Sequence, residues 1–344
     1  MPRLLLSLLP AVLLAQSYKA ERTTDHGVPI VRLTDTANEV ELALVPSIGN
    51  RAYELKVHGK NVLYFPQADA SEYQARPRLS GIPFLAPWAD LLSEPGFWAN
   101  GKHYTFNKSL GNVRGDRPSH GLLVTSPYWQ VTEVAADASS ARVTSKLEFW
   151  RYPDLVAQWP FAHEYEMTYI LSGGALEVRT TITNIGSEPM PVVSGFHPYL
   201  RIPDTSREDW VIRMPAKTHV IPGEHNIPTG EIRPLDVPNP LPVRGRTSDD
   251  GFTDLTRDAN GNAVFSIEFD GKAVDMVLGP KYTVATVWFP EVREGQPQDF
   301  VCIEPLSTII AGLNLAHDGK WSGLQMLPAG GKWTESFWIR TRGL

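Results

Sequence analysis

Across residues 161–171 the side chains alternate, with Tyr165, Met167 and Tyr169 on one face and Glu164 and Glu166 on the other. A period of two marks a half-buried β-strand. Ser172-Gly173-Gly174 supplies a turn, and Leu176, Val178, Thr180 and Ile182 line the return strand. A second turn at Asn184-Ile185-Gly186-Ser187 leads into the apolar run 190–197. The pattern therefore predicts a three-strand antiparallel meander that ends at His197. The same alternation recurs over 40–57, 142–150, 264–278 around Asp270-Gly271, 284–289 and 333–341. Only 80–92 and 308–316 allow a helical turn or two, and neither carries an amphipathic stripe.

With 344 residues the chain has room for two average domains, but all-β sandwiches often exceed 200 residues as one unit. Its 29 prolines and 27 glycines are spread throughout, with a denser stretch over 202–246 that reads as a long connection. No fixed-period repeat and no linker-like break interrupts the pattern, so one large all-β antiparallel sandwich over 18–344 is expected. A net charge of -6 and the lack of a Lys/Arg-rich block exclude a nucleic-acid surface.

The N-terminus sets Arg3 before an apolar run over 4–14 and the small-residue site Ala15-Gln16-Ser17. That is the layout of a secretory signal peptide over 1–17, too short to span a bilayer, and it predicts an exported, periplasmic or extracellular protein with no membrane span. Cys302 is the only cysteine, so no intrachain disulfide can form, and its neighbours Val301 and Ile303 make it a core residue.

Candidate chemistry centres on Ser194-Gly195-Phe196-His197-Pro198-Tyr199. A histidine exchanges a proton near neutral pH. Gly195 admits a close approach to the backbone, while Phe196 and Tyr199 offer flat faces to a ligand. The alternative is a buried histidine bonded to a carbonyl. Glu304, flanked by Ile303 and Pro305, is a carboxylate expected to be partly desolvated and so raised toward the range of a general base; alternatively it pairs with a surface cation. Further candidates are His120 beside Gly121, Trp88 and Asp90 in the rigid loop 80–90 with Trp88 expected to be exposed, and the acidic turn Asp249-Asp250-Gly251.

Taken in order, Pro46-Ser47-Ile48-Gly49, Ala86-Pro87-Trp88, Ser119-His120-Gly121, Gly195-Phe196-His197-Pro198-Tyr199, Asp249-Asp250-Gly251-Phe252 and Cys302-Ile303-Glu304-Pro305 resemble the motifs of the aldose 1-epimerases, or galactose mutarotases. The resemblance covers nearly the whole chain after the leader. It implies a galactose-mutarotase-like β-sandwich that interconverts the anomers of a free aldohexose without cofactor or metal. It also implies that His197 is the general acid, Glu304 the general base, and His120 and one of Asp249 or Asp250 sugar contacts, the spacing to Phe252 favouring Asp249; Tyr199, Trp88 and Asp90 are further candidate sugar-binding residues. One position departs from the pattern: where the family commonly reads Pro-x-x-Asn-Arg, this chain has Pro87-Trp88-Ala89-Asp90-Leu91. Leucine donates no hydrogen bond, so Arg51, Arg76 and Arg78 are the candidate replacements. Rival readings are a non-catalytic carbohydrate-binding protein, a hexose-6-phosphate epimerase, or a glycan-active enzyme on the same sandwich.

Overall fold

The computed structural model describes residues 17–107, 109, 113–291 and 298–344, so the expected leader lies outside the described residues apart from Ser17. One sheet has nine antiparallel strands. It runs from Gln130–Ala136 through Ala141–Glu148, His163–Ser172, Ala175–Asn184, Lys332–Arg342, Lys272–Leu278 and Ala263–Phe269 to the short Val211–Arg213 and Leu241–Pro242. In His163–Ser172 the expected alternation holds, with Tyr165, Met167, Tyr169 and Leu171 buried and the residues between them partly or fully exposed. The turns at Gly173-Gly174 and Asp270-Gly271 take positive φ at both central residues, as two-residue hairpin turns between right-twisted strands require.

A second sheet runs Pro228–Pro234, Ala216–Pro222, Asp249–Leu255, Val284–Trp288, Val301–Leu306, Gly195–Phe196 and Phe84–Leu85, with Tyr199–Leu200 also paired to Val301–Leu306. One apolar face of it lies on the first sheet. Phe196 meets Phe337 at 4.8 Å between ring centres and Phe84 meets Tyr165 at 5.3 Å. Phe252, Ala285, Val287 and Ile303 join the same buried cluster as Met167, Val178, Phe265 and Met276. This is the antiparallel β-sandwich expected. A third sheet of Tyr18–Asp25, Val28–Asp35, Val40–Val45, Arg51–Val57 and Lys60–Asn61 adds Leu33, Leu42 and Leu44 to that cluster. Among the described residues, no helix is long and apolar enough to cross a membrane.

Several expectations are corrected. Met190–Val192 pairs with Gln325–Leu327, and the place beside Ala175–Asn184 belongs to Lys332–Arg342, so the expected third strand does not join His163–Ser172 and Ala175–Asn184. His197 follows a strand of the other sheet. Segment 202–246 is not a plain connection, since it contains Val211–Arg213, Ala216–Pro222, Pro228–Pro234 and Leu241–Pro242. The segment 80–92 holds no helix, 308–316 holds the start of Gly312–His317, and short helices form instead at Ala70–Ala75 and Pro153–Gln158.

Candidate active site

Side chains that alternate along paired strands form rows on one face of a sheet. On the second sheet, Phe252, Ala285, Val287, Ile303 and Phe196 point into the core, which turns their neighbours to the other face. Register then assembles the site. Asp249 lies opposite Trp288, Trp288 opposite Cys302, and Cys302 opposite Tyr199. In the next row Gly251 lies opposite Thr286 and Thr286 opposite Glu304. The register that pairs Gly195 with Leu306 and Tyr199 with Cys302 brings His197 to Glu304. Main-chain bonds from His197 to Pro83 and from Tyr199 to Gly81 hold the segment on its other side.

His197 Nε2 stands 3.1 Å from Glu304 Oε1, with side chains 7% and 1% exposed. A proton can pass directly across such a gap. Burial pushes the imidazole well below its usual range, helped by His120 and Arg51. It pushes the Glu304 carboxyl well above the usual carboxylate range, and repulsion from Asp90 and Asp249 adds to this. Both shifts favour the uncharged pair, imidazole and carboxylic acid. Glu304 Oε2 is buried and has no hydrogen-bond partner among the described residues. Tyr199 stacks on His197 at 4.9 Å between ring centres, and Trp288 and His120 meet it edge-on at 5.6 and 5.5 Å.

His120 and Asp90 flank the pair from two loops. Both have positive φ, which is uncommon outside glycine and clusters at functional sites. The His120 N–H donates to the Asp90 carbonyl at 2.8 Å. Burial raises Asp90, against the opposing pull of His120 and Arg114, and it lowers His120. Asp249 is raised well above the carboxylate range by burial and by repulsion from Asp90 and Asp250, and its Oδ1 is buried without a partner among the described residues. Gly121 is what lets His120 take this place. A Cβ there would come 2.1 Å from the Ala86 carbonyl oxygen, at φ +65°. Gly121→Ala is therefore expected to destabilise the fold by more than about 1 kcal/mol, read by chemical denaturation; unchanged stability would contradict the packing.

A cleft of about 520 Å³ lies beside the pair, lined among others by Tyr199, Trp288, Asp249, Arg78 and Arg114; His197 and Glu304 are not among its lining residues and adjoin it through the Tyr199 and Trp288 rings that pack on His197. Five of the expected site residues, His197, Glu304, His120, Asp90 and Asp249, thus form one electrostatic cluster, and Tyr199 lies against it. Trp88 does not belong there. It is 1% exposed and packs in the core against Phe106 and Trp159, so the expectation of an exposed sugar-facing ring is corrected. Phe196 is likewise a core residue, and Gly195 is required by Leu306 and Pro305 across the strand pair rather than by a ligand. Leu91 is buried among Val220, Val284, Leu306 and Ile309, an apolar setting in which an unpaired guanidinium would be costly. Arg51 is also unsuited as its replacement, being fully buried and donating to the carbonyls of Arg78 and Val124. Arg78 reaches the cleft, and with it Arg114 and Trp288, which the sequence reading missed. For Trp288 the signal was present in the alternation of the strand 284–289; for Arg114 there was none.

The sequence profile of the aldose 1-epimerase family matches residues 31–340. The chain is 27% identical over 147 residues to the uncharacterized protein YihR of Escherichia coli, covering 42% of this chain and 44% of that protein. It is 25% identical over 154 residues to the uncharacterized protein YphB of the same organism, covering 43% and 50%. The chain thus spans half the length or less of these curated relatives. A galactose mutarotase-like protein from Clostridium acetobutylicum superposes with a TM-score of 0.80 at 22% identity, covering 95% of this chain and 98% of that one. A galactose 1-epimerase from Lactobacillus acidophilus gives 0.73 at 13% identity, covering 96% and 100%. These two likenesses concern the fold. The profile match runs through both sheets and every residue of the cluster around His197 and Glu304, and the chain belongs to the aldose 1-epimerase family.

Proposed function

We propose that the protein interconverts the α and β anomers of a free aldohexose by opening and reclosing the sugar ring, with His197 and Glu304 moving the protons. The observation that carries this reading is the 3.1 Å contact between two buried groups of opposite acid–base character, packed against the Tyr199 and Trp288 rings that line a polar cleft. In a cyclic aldose O1 and O5 are bonded to the same carbon. Adjacent protein groups can therefore serve both oxygens at once. Ring opening needs a proton delivered to O5 as the C1–O5 bond breaks, and the O1 proton removed as C1=O1 forms. Rotation about C1–C2 exposes the other carbonyl face, and the reverse transfers close the ring.

Burial rests the shared proton on Glu304 and leaves His197 neutral. Moving that proton across the contact gives imidazolium and carboxylate without changing the proton count. A sugar hydroxyl donating to the unpartnered Glu304 Oε2 favours that charged form, because hydrogen bonds to a carboxylate stabilise it. His197 then acts as acid toward O5 and Glu304 as base toward O1, with roles exchanged on closure. His120, Asp90 and Asp249 border the pair and supply sugar-hydroxyl contacts, and Tyr199 and Trp288 supply flat faces.

The working form carries one proton on the pair, which sets the pH profile. A second proton would create a buried cation, so the acid limb lies below the ordinary histidine value of 6.5. Loss of the last proton would leave a buried anion near Asp90 and Asp249, so the alkaline limb is displaced upward. A broad bell of kcat against pH is expected in polarimetric assays. A profile that rises with the titration of an ordinary histidine would contradict the reading.

A further inference from the structure

Arg51 opens the strand Arg51–Val57, and its side chain is fully buried. Nη1 donates to the Arg78 carbonyl and Nη2 to the Val124 carbonyl, each at 2.6 Å. Nε is buried without a partner among the described residues. The groups that act on this charge are the phenols of Tyr73, Tyr199 and Tyr169, with no carboxylate among them. A guanidinium stays charged near neutral pH even where burial lowers it. The interior therefore holds a fixed charge with no counter-ion, a costly arrangement that an apolar side chain would avoid.

The two carbonyls belong to the two loops that frame His197. Arg78 begins the segment whose Gly81 and Pro83 carbonyls accept the Tyr199 and His197 N–H groups at 2.9 and 3.0 Å. Val124 ends the segment that carries His120, whose ring meets His197 edge-on at 5.5 Å. Gly49 lets the chain before Arg51 come this close, since a Cβ there would lie 2.0 Å from the Val124 carbonyl oxygen. Contacts thus close a circuit from Arg51 through 78–83 to His197, across to His120, and back through 120–124. The charge also acts on His197 and on Tyr199, the ring stacked against it. Around His197 stand Glu304 at 3.1 Å, His120 and Tyr199, while Asp90 and Asp249 act on Glu304, Arg114 acts on His120, and Cys302 opposite Tyr199 keeps its proton through burial. Of the groups that act on His197 itself, Arg51 alone is permanently charged.

We propose that Arg51 is a positioning residue for the proton transfer: it clasps the loops on either side of His197 and sets a permanent positive charge beside the ring, so that the ring holds the shared proton only in passing. A nearby cation opposes imidazolium, which rests the proton on Glu304. Once formed, the same imidazolium is a stronger acid toward O5. This rests on the reading of His197 as the acid of ring opening.

The test compares wild type with Arg51→Lys, which keeps the charge, and with Arg51→Met and Arg51→Gln, which remove it; chemical denaturation identifies the variants that fold. Anomer exchange of an aldohexose gives kcat and KM against pH, and NMR of the ring carbons gives the titration of His197 in the sugar-free protein. Each variant is expected to lose about 10- to 100-fold in kcat, with KM changed less, because none spans both carbonyls with a planar fork. The neutral variants should also move the acid limb of kcat and the His197 titration upward, toward the ordinary value of 6.5, whereas Arg51→Lys should leave both near wild type. An unmoved His197 titration in a folded neutral variant would overturn the proposal, as would the same upward shift in Arg51→Lys, or wild-type kcat in Arg51→Lys. Sugar binding without accelerated exchange in wild type would overturn the reading of His197 as an acid, while the titration would still show whether Arg51 sets the charge of the ring.

Discussion

Glu304→Gln is expected to lower kcat for anomer exchange by about 10²- to 10⁴-fold, the contribution of one positioned acid–base group. The amide keeps the shape of the carboxyl but cannot carry the shared proton. His197→Gln should lose a comparable factor, and the double variant little more, since groups that act as one unit are not additive. The fold should survive and gain. Burial raises the Glu304 pKa above its ordinary value of 4.5, so the folded state binds more protons than the unfolded state. That contribution is intact below 4.5 and is lost as pH rises through the elevated folded value. Glutamine has no such loss, so the melting temperature of Glu304→Gln should rise relative to wild type between pH 5 and pH 8. Wild-type kcat in the variant would remove Glu304 from the chemistry.

Trp88→Ala should have the largest effect on stability, about 3–5 kcal/mol, typical of emptying a fully buried tryptophan site. The ring is 1% exposed, 4.7 Å from Phe106 and 6.3 Å from Trp159 between centres. KM of the folded variant should stay near wild type, because the ring packs in the core against Phe106 and Trp159. A raised KM with undiminished stability, read by urea denaturation beside kinetics, would instead make Trp88 a sugar contact.

Alternation revealed the faces of strands but not their partners. It identified His163–Ser172, Ala175–Asn184 and the Asp270-Gly271 hairpin, because those depend on local side chains and turn geometry. It misplaced Met190–Val192, because the strand beside Ala175–Asn184 comes from the far end of the chain. The meeting of His197 with Glu304 depends on a long-range register that no local pattern encodes; their similar strand-end settings and the resemblance suggested the pair, but not its geometry. Trp88 was misread for a related reason. Proline-rich loops usually run over the surface, whereas this one is buried beneath Phe106 and beside the Trp159 side chain.

The most direct test of the His197–Glu304 assignment is magnetisation exchange between the α and β anomeric protons of glucose and galactose at equilibrium, with wild-type protein and with Glu304→Gln. The expected result is exchange that increases in proportion to wild-type protein and stays at the buffer rate with the variant. Exchange at the buffer rate with wild type, together with saturable sugar binding, would contradict catalysis and leave a carbohydrate-binding protein on the same sandwich.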